Sequence, residues 1–133
     1  MTPFSLKIVT PDGLQFDGQA EELIVRTTTG DLGILAVHIT CVATLGMGRA
    51  TIITQGKRRY AACIGGMVSV MESHVNLVPT SFEWAEDIDQ ERAAASERRA
   101  REVLKDKTST ETDIRLAEAR LKRALVRKSI VQE

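Results

Sequence analysis

Apolar and polar positions alternate in short runs through the first two thirds of the chain, then give way to a longer period. Phe4, Leu6 and Ile8 interleave with Ser5 and Lys7, which predicts a half-buried strand over Phe4–Thr10. Pro11-Asp12-Gly13 marks a tight turn, Leu14–Phe16 a short second strand, and Asp17-Gly18 another turn. Leu23–Thr28 is β-branched and strand-like. Gly30-Asp31-Leu32-Gly33-Ile34-Leu35 reads as a glycine-bearing loop that leads into apolar residues. Cys41–Leu45 and Arg49–Thr54 are strands flanking Gly46-Met47-Gly48, and Gln55-Gly56-Lys57-Arg58 is a hairpin turn with an exposed basic tip. Tyr60–Ile64 ends at Gly65-Gly66, where paired glycines imply a bulge or a close backbone approach. Met67–Met71 puts Met67 and Met71 on one face and Val68 and Val70 on the other; His74–Val78 closes the series. Eight or more such strands predict an antiparallel sandwich or barrel.

The pattern changes across Glu83–Ala93. All 9 Gly and all 3 Pro lie at or before Pro79, so the sequence beyond carries no helix breaker. The helical period begins at Trp84, and Glu86-Asp87 suit the positive end of a helix dipole. Ile88, Ala93, Ala94, Ala95, Ala100 and Val103 form a thin apolar stripe. Lys105–Thr112 is a polar loop with N-cap candidates Ser109, Thr110 and Thr112. Ile114, Ala117, Leu121, Ala124, Leu125 and Val131 give a second helix its apolar side. Two helices joined this way make an antiparallel hairpin. Its seam is rich in alanine; at about 25 cal/mol per Å² of apolar burial, so thin a seam holds weakly and leaves the hairpin able to rearrange. The fold class is α+β: an N-terminal antiparallel β-sandwich over 1–84 and a C-terminal two-helix hairpin over 85–133.

Composition mainly excludes. No apolar run in the 133 residues approaches the roughly 18 needed to span a membrane, and Met1–Lys7 has no basic segment leading into an apolar stretch, so no signal peptide is expected. Cys41 and Cys63 sit in apolar runs and read as small buried thiols. The Gly30–Leu35 stretch lacks the Gly-Lys-Ser/Thr ending of a phosphate-binding loop. His38 and His74 are the only histidines, and no HxxE, HxH or CxxC spacing occurs; neither catalysis nor a metal site is expected. Net charge is zero, but Thr112 onward carries six bases (Arg115, Arg120, Lys122, Arg123, Arg127, Lys128) against three acids. A basic helix suits an acidic protein, nucleic acid, phosphate or membrane surface. One Trp, one Tyr and a modest basic excess argue against nucleic acid.

The order of features resembles the epsilon subunit of bacterial F-type ATP synthase. The resemblance rests on Ile8-Val9-Thr10-Pro11-Asp12-Gly13, then Gly30-Asp31-Leu32-Gly33-Ile34-Leu35 followed by His38, then Gly65-Gly66, then Ala85-Glu86-Asp87-Ile88-Asp89 entering the hairpin. It covers nearly the whole chain. The sequence departs from the family in having Ala36 and Thr40 where prolines commonly flank the histidine, and Met67 where an aromatic follows the glycine pair.

The resemblance implies a non-catalytic central-stalk subunit, peripheral at the cytoplasmic face of the bacterial membrane. The sandwich would dock on the gamma subunit and the c-ring. The hairpin would lie folded down or extend up along gamma, where it blocks rotation in the ATP-hydrolysis direction. Its partners there would be the alpha and beta subunits, with Arg115, Arg120, Lys122, Arg123, Arg127 and Lys128 facing an acidic segment of beta. Ile88-Asp89-Gln90-Glu91-Arg92-Ala93 matches a motif by which some members bind ATP in the folded-down state. Carried over, the ATP residues are Glu83, Ile88, Asp89, Arg92, Ala93, Arg99, Arg123 and Arg127, with guanidinium groups on the polyphosphate, carboxylates toward adenine or ribose, and Ile88 and Ala93 against the base. Spacing places Asp89, Arg92 and Arg99 on one helical face. An interhelical salt-bridge network among the same residues is the competing reading, and whether Mg²⁺ accompanies the nucleotide stays open. A free-standing ATP sensor or adaptor with the same fold is the alternative function.

Overall fold

The computed structural model describes residues 2–36 and 40–131; His38 lies outside these residues. The chain divides into two compact units, Met1–Trp84 and Ala85–Glu133.

The first unit is a sandwich of two five-stranded sheets. The strands are β1 (Phe4–Thr10), β2 (Gly13–Ala20), β3 (Glu22–Thr27), β4 (Gly30–Ile34), β5 (Cys41–Thr44), β6 (Met47–Thr54), β7 (Lys57–Ile64), β8 (Met67–Met71), β9 (His74–Val78) and β10 (Ser81–Trp84). One sheet runs β2-β1-β9-β8-β5, the other β10-β7-β6-β3-β4. The pairing is antiparallel except at β1–β9, which is parallel. Alternation decides which side of each strand faces in. Phe4, Leu6 and Ile8 of β1, Val75 and Leu77 of β9, and Val68 and Val70 of β8 are buried from one sheet; Leu23, Val25, Ala50, Ile52 and Ala61 meet them from the other. Cys63 is buried there too, and burial pushes its thiol up to about 12.

Three expectations give way here. Asp17-Gly18 is not a turn: β2 runs straight through it, because Asp17 stands opposite Lys7 and Gly18 opposite Leu6 in a ladder whose register holds from Phe4↔Ala20 to Ile8↔Phe16. Gly30–Ile34 is not a loop but strand β4, paired with β3 from Leu23↔Ile34 to Thr27↔Gly30. Its glycines hide the alternation, since Gly33 shows no side chain to read. Trp84 does not open a helix; it ends β10, opposite Ala61, and is buried in the core with Phe82 at 4.9 Å and Arg59 stacked 3.7 Å over its ring. The close approach expected at the glycine pair is present. Gly66 has φ 93°, and a Cβ there would run into the Val78 carbonyl.

The second unit opens with a short 3-10 turn, Ala85–Asp87, so Glu86 and Asp87 precede the first α-helix rather than starting it. Helix α1 spans Gln90–Lys105 and α2 spans Glu111–Val131. Among the described residues no helix is long and apolar enough to cross a membrane. Of the three cap candidates Thr110 takes the role: its Oγ1 accepts from the Asp113 amide while Asp113 Oδ2 accepts from the Thr110 amide, both at 3.1 Å. Ser109 instead ties the turn to α1, donating Oγ to the Val103 carbonyl at 2.8 Å. Asp106 accepts from the Thr108 amide and hydroxyl, which holds its carboxyl below the usual range. Ala93, Ala100, Ala117 and Ala124 are buried, as is Ile130. Ile114 and Leu125, expected in the seam, are exposed (37% and 41%). The buried alanines of α2 lie seven apart, and at 3.6 residues per turn that row leaves Ile114 and Leu125 on its flank.

Candidate functional site

The site residues begin at the α1 cap. Asp89 is extended (φ −85°, ψ 107°) and its Oδ1 accepts from the Arg92 amide at 3.1 Å. Asp89 is therefore the N-cap and lies outside the helix. The expected common face is kept by Arg92 and Arg99 alone, seven residues apart on α1 and both exposed. Ile88, just before the cap, is half-buried, and Ala93 is buried. Glu83 belongs to the first unit, on β10, opposite Ala62.

On α2 the six basic residues separate into three environments. Arg120, Arg123 and Arg127 are spaced three and four apart and share one face. Arg115 and Lys122 are seven apart, on a different face, next to exposed Ile114 and Leu125. Arg115 is bonded to Glu111 at 3.4 Å within the helix. Lys128 crosses to α1, where its Nζ sits 2.7 Å from Glu97 Oε1; Arg101 Nε reaches Glu97 Oε2 at 3.0 Å. The two cations hold the Glu97 carboxyl below its ordinary range.

A cleft of about 580 Å³ opens between the helices toward the turn. Its floor is Ala100, Val103, Leu116 and Ala117, with Arg99 on one wall and Arg120 on the other; Glu102, Asp106, Ser109 and Asp113 line its turn end. This volume lies in the range of small-molecule sites. Because Arg99 and Arg120 line the same cleft, the row of Arg92 and Arg99 runs beside the row of Arg120, Arg123 and Arg127 on one side of the hairpin. Arg120, read from the sequence only as a partner contact, belongs geometrically with Arg99. No sequence pattern could assign this, because it depends on how α1 and α2 pair.

The sandwich carries a second feature that the sequence did not assign. The outer face of the β2-β1-β9-β8-β5 sheet exposes Leu14, Val42, Met67, Met71 and Val78, each at least half open to solvent. Met67 and Val78 are cross-strand neighbours, and Leu14 stands opposite Val9. An apolar group on one sheet face marks an interaction surface. The alternation of Met67 and Met71 with Val68 and Val70 was the available signal; it separates the two faces without saying that the methionine face stays uncovered.

A sandwich with an apolar outer face, joined to a cation-lined helical hairpin, defines a two-unit chain with a candidate binding surface on each unit. Comparison with known proteins identifies the family. Residues 3–85 match the ATP synthase Delta/Epsilon chain beta-sandwich domain and residues 86–132 its long alpha-helix domain. The chain is 42% identical over 127 residues to an ATP synthase epsilon chain of Bacillus velezensis, covering 96% of each. It is 40% identical over 134 residues to one of Ruminococcus albus, covering 100% of this chain and 99% of that one. The fold matches a chain in the Euglena gracilis mitochondrial ATP synthase OSCP/F1/c-ring structure, with TM-score 0.84, 22% identity and coverage of 97% and 81%. It also matches a chain from the central stalk and c-ring of Tetrahymena thermophila mitochondrial ATP synthase, with TM-score 0.60, 15% identity and coverage of 96% and 95%. The chain belongs to the ATP synthase delta/epsilon family, among its epsilon chains, which are non-catalytic subunits.

Proposed function

We propose that this chain is the regulatory epsilon component of a bacterial ATP synthase central stalk, and that ATP sets the state of its hairpin. The sandwich docks on the gamma subunit through the apolar outer face that holds Val42, Met67, Met71 and Val78, next to the c-ring. Association is peripheral, at the cytoplasmic face of the membrane. The hairpin opens into an arm that inhibits ATP hydrolysis by meeting an acidic segment of the beta subunit. Arg115 and Lys122, beside Ile114 and Leu125, form the face best suited to that contact.

The observation that carries the nucleotide reading is the cleft that Arg99 and Arg120 line from opposite helices, with Arg92 on the Arg99 face of α1 and Arg123 and Arg127 on the Arg120 face of α2. Guanidinium groups in two facing rows suit a polyphosphate, which accepts bidentate hydrogen bonds from several sides. The seam beneath is alanine-rich and contributes little burial. Ligand bound across both helices adds RT ln(1 + [L]/Kd) to the closed hairpin and nothing to the open arm. ATP therefore favours the closed, non-inhibitory state, and its depletion releases the arm.

Calorimetric titration of the full chain with ATP, with and without Mg²⁺, tests this reading. Saturable heat that Arg92→Ala abolishes is the expected result. No heat at millimolar ATP would remove the sensor role and leave the stalk role, which co-purification with alpha, beta and gamma subunits tests separately.

A further inference from the structure

The sandwich has open sheet edges, and one of them borders a cleft. β2 and β5 end one sheet, β10 and β4 the other. β5 and β10 are 4 residues long and β4 is 5, whereas β2 runs for 8. A long edge strand presents backbone donors and acceptors to any extended chain that comes alongside. The direction of these groups follows from the ladder. Ser5 donates its N–H to the Ser73 carbonyl, at the start of β9, so the alternate residues Phe4, Leu6 and Ile8 turn their backbone groups toward Ala20, Gly18 and Phe16 of β2. The β2 residues between, Asp17 and Gln19, direct theirs out of the sheet. The Thr54 hydroxyl donates to the Gln19 carbonyl from that outer side, at 2.9 Å, and so closes the edge there. The open stretch runs from Gln15 to the Gln19 amide.

A cleft of about 480 Å³ lies beside this edge, with Phe16, Asp17, Gly18, Glu21 and Thr54 in its lining and no lysine or arginine. Gly18 keeps an ordinary strand backbone, and a Cβ there meets only the edge of the Phe16 ring, at 3.5 Å. The space is therefore open for want of a side chain. Asp17 has Lys7 opposite it on β1, which leaves Glu21 as the uncompensated acid. Its Oε1 accepts from the Gly56 amide at 3.1 Å, so the carboxylate is fixed at the cleft.

We propose that the β2 edge docks an extended basic segment of a partner polypeptide, which adds to the sheet as a further strand and fills the cleft with an arginine or lysine opposite Gly18. A residue opposite Gly18 shares its inward face, because side chains alternate along a strand. Its aliphatic stem lies along Phe16 while its charged head meets Glu21. Glycine at 18 and glutamate at 21 thus define one pocket for one side chain, and the strand edge supplies the backbone bonds. The site is distinct from the apolar sheet face and the hairpin groove, and depends on neither reading.

The probe is a blocked seven-residue peptide of alternating threonine and valine, with arginine in place of the central valine. Amide exchange and Trp84 fluorescence of the full chain report binding, since Phe16 meets Trp84 edge-on with ring centroids 6.3 Å apart. Saturable binding that slows exchange at Asp17 and Gln19 is the expected result. Glutamate in place of the peptide arginine, or Glu21→Gln in the chain, weakens binding about tenfold, the value of one charge-assisted contact. Gly18→Val fills the cleft with a residue that suits a strand and abolishes the preference for arginine. Glu21→Gln retains an acceptor for the Gly56 amide, so its result stands even where Gly18→Val fails to fold. Equal affinity for the arginine and glutamate peptides overturns the basic occupant. Unchanged exchange at Asp17 and Gln19 in millimolar peptide overturns the site. Dimerisation of the chain alone that Gly18→Val removes overturns the partner assignment and gives the edge to a second copy.

Discussion

Lys128 Nζ donates to Glu97 Oε1 at 2.7 Å, tying the end of α2 to the first half of α1 across a seam made mostly of alanine. The Glu97 side chain is only 14% exposed and also accepts from Arg101, so the carboxylate is held from two sides. Glu97→Gln should raise amide-exchange rates across the hairpin several-fold while leaving the sandwich untouched, and the charge swap Glu97→Lys with Lys128→Glu should restore part of the protection. Unchanged exchange in Glu97→Gln would show that the tie contributes nothing. The pH dependence follows from the direction of the shift. The folded pKa is depressed below the ordinary 4.5, so the contribution is present above that value and is lost as pH falls through the depressed one. Hairpin protection measured from pH 7 downward should therefore hold to about pH 4.5 and decline below it.

Asp89 caps α1, and substitution can separate that role from the ligand contact proposed for it. As N-cap, it can be replaced by Asn with little loss, whereas Asp89→Ala should cost about 1 kcal/mol of hairpin stability. If its charge matters to ligand, Asp89→Asn should keep helicity and thermal stability and still weaken ATP binding. Equal ATP affinity in wild type and Asp89→Asn would confine the residue to capping.

Gly66 and Gly33 make a contrasting pair. Gly66 has φ 93° and a Cβ there meets the Val78 carbonyl, whereas nothing lies within 4 Å of a Cβ at Gly33. Gly66→Ala should therefore destabilise the sandwich by at least about 1–3 kcal/mol, the usual scale of such backbone strain, and Gly33→Ala should be nearly neutral. Urea unfolding of the two variants, followed by Trp84 fluorescence, gives the comparison directly.

The apolar sheet face yields an assembly prediction. Met67 and Val78 are cross-strand neighbours, each 50% exposed. Met67→Lys with Val78→Asp should leave the isolated chain folded, since neither side chain enters the core, yet abolish co-purification with gamma. Intact assembly in that double variant would place the docking surface elsewhere.

Much of this architecture is legible from side-chain periodicity, and the failures share a cause. β1 and β8 could be read because each has a side chain at every position to report its face. β4 could not, since Gly30 and Gly33 leave gaps in the alternation, and β2 was cut short because Asp17-Gly18 is a turn signal that the ladder to β1 overrides. β10 is only four residues and runs into charged sequence, so its Trp84 looked like a helix start. The candidate site split along the same line. Arg92 and Arg99 share a face by spacing on one helix, but the company of Arg99 and Arg120 depends on the pairing of two helices. Asp89, expected on the helix face, was claimed by the backbone as a cap, a competition that side chains of this length commonly win.

The facing rows of guanidinium groups have one more consequence. Like charges gathered along a groove repel, which works against closure of the hairpin. Dissolved salt screens charges more than about 8–10 Å apart at physiological ionic strength and relaxes that repulsion without occupying the groove. Under the nucleotide reading proposed above, ionic strength and ATP push the same equilibrium in the same direction, one by masking the repulsion and the other by neutralising it.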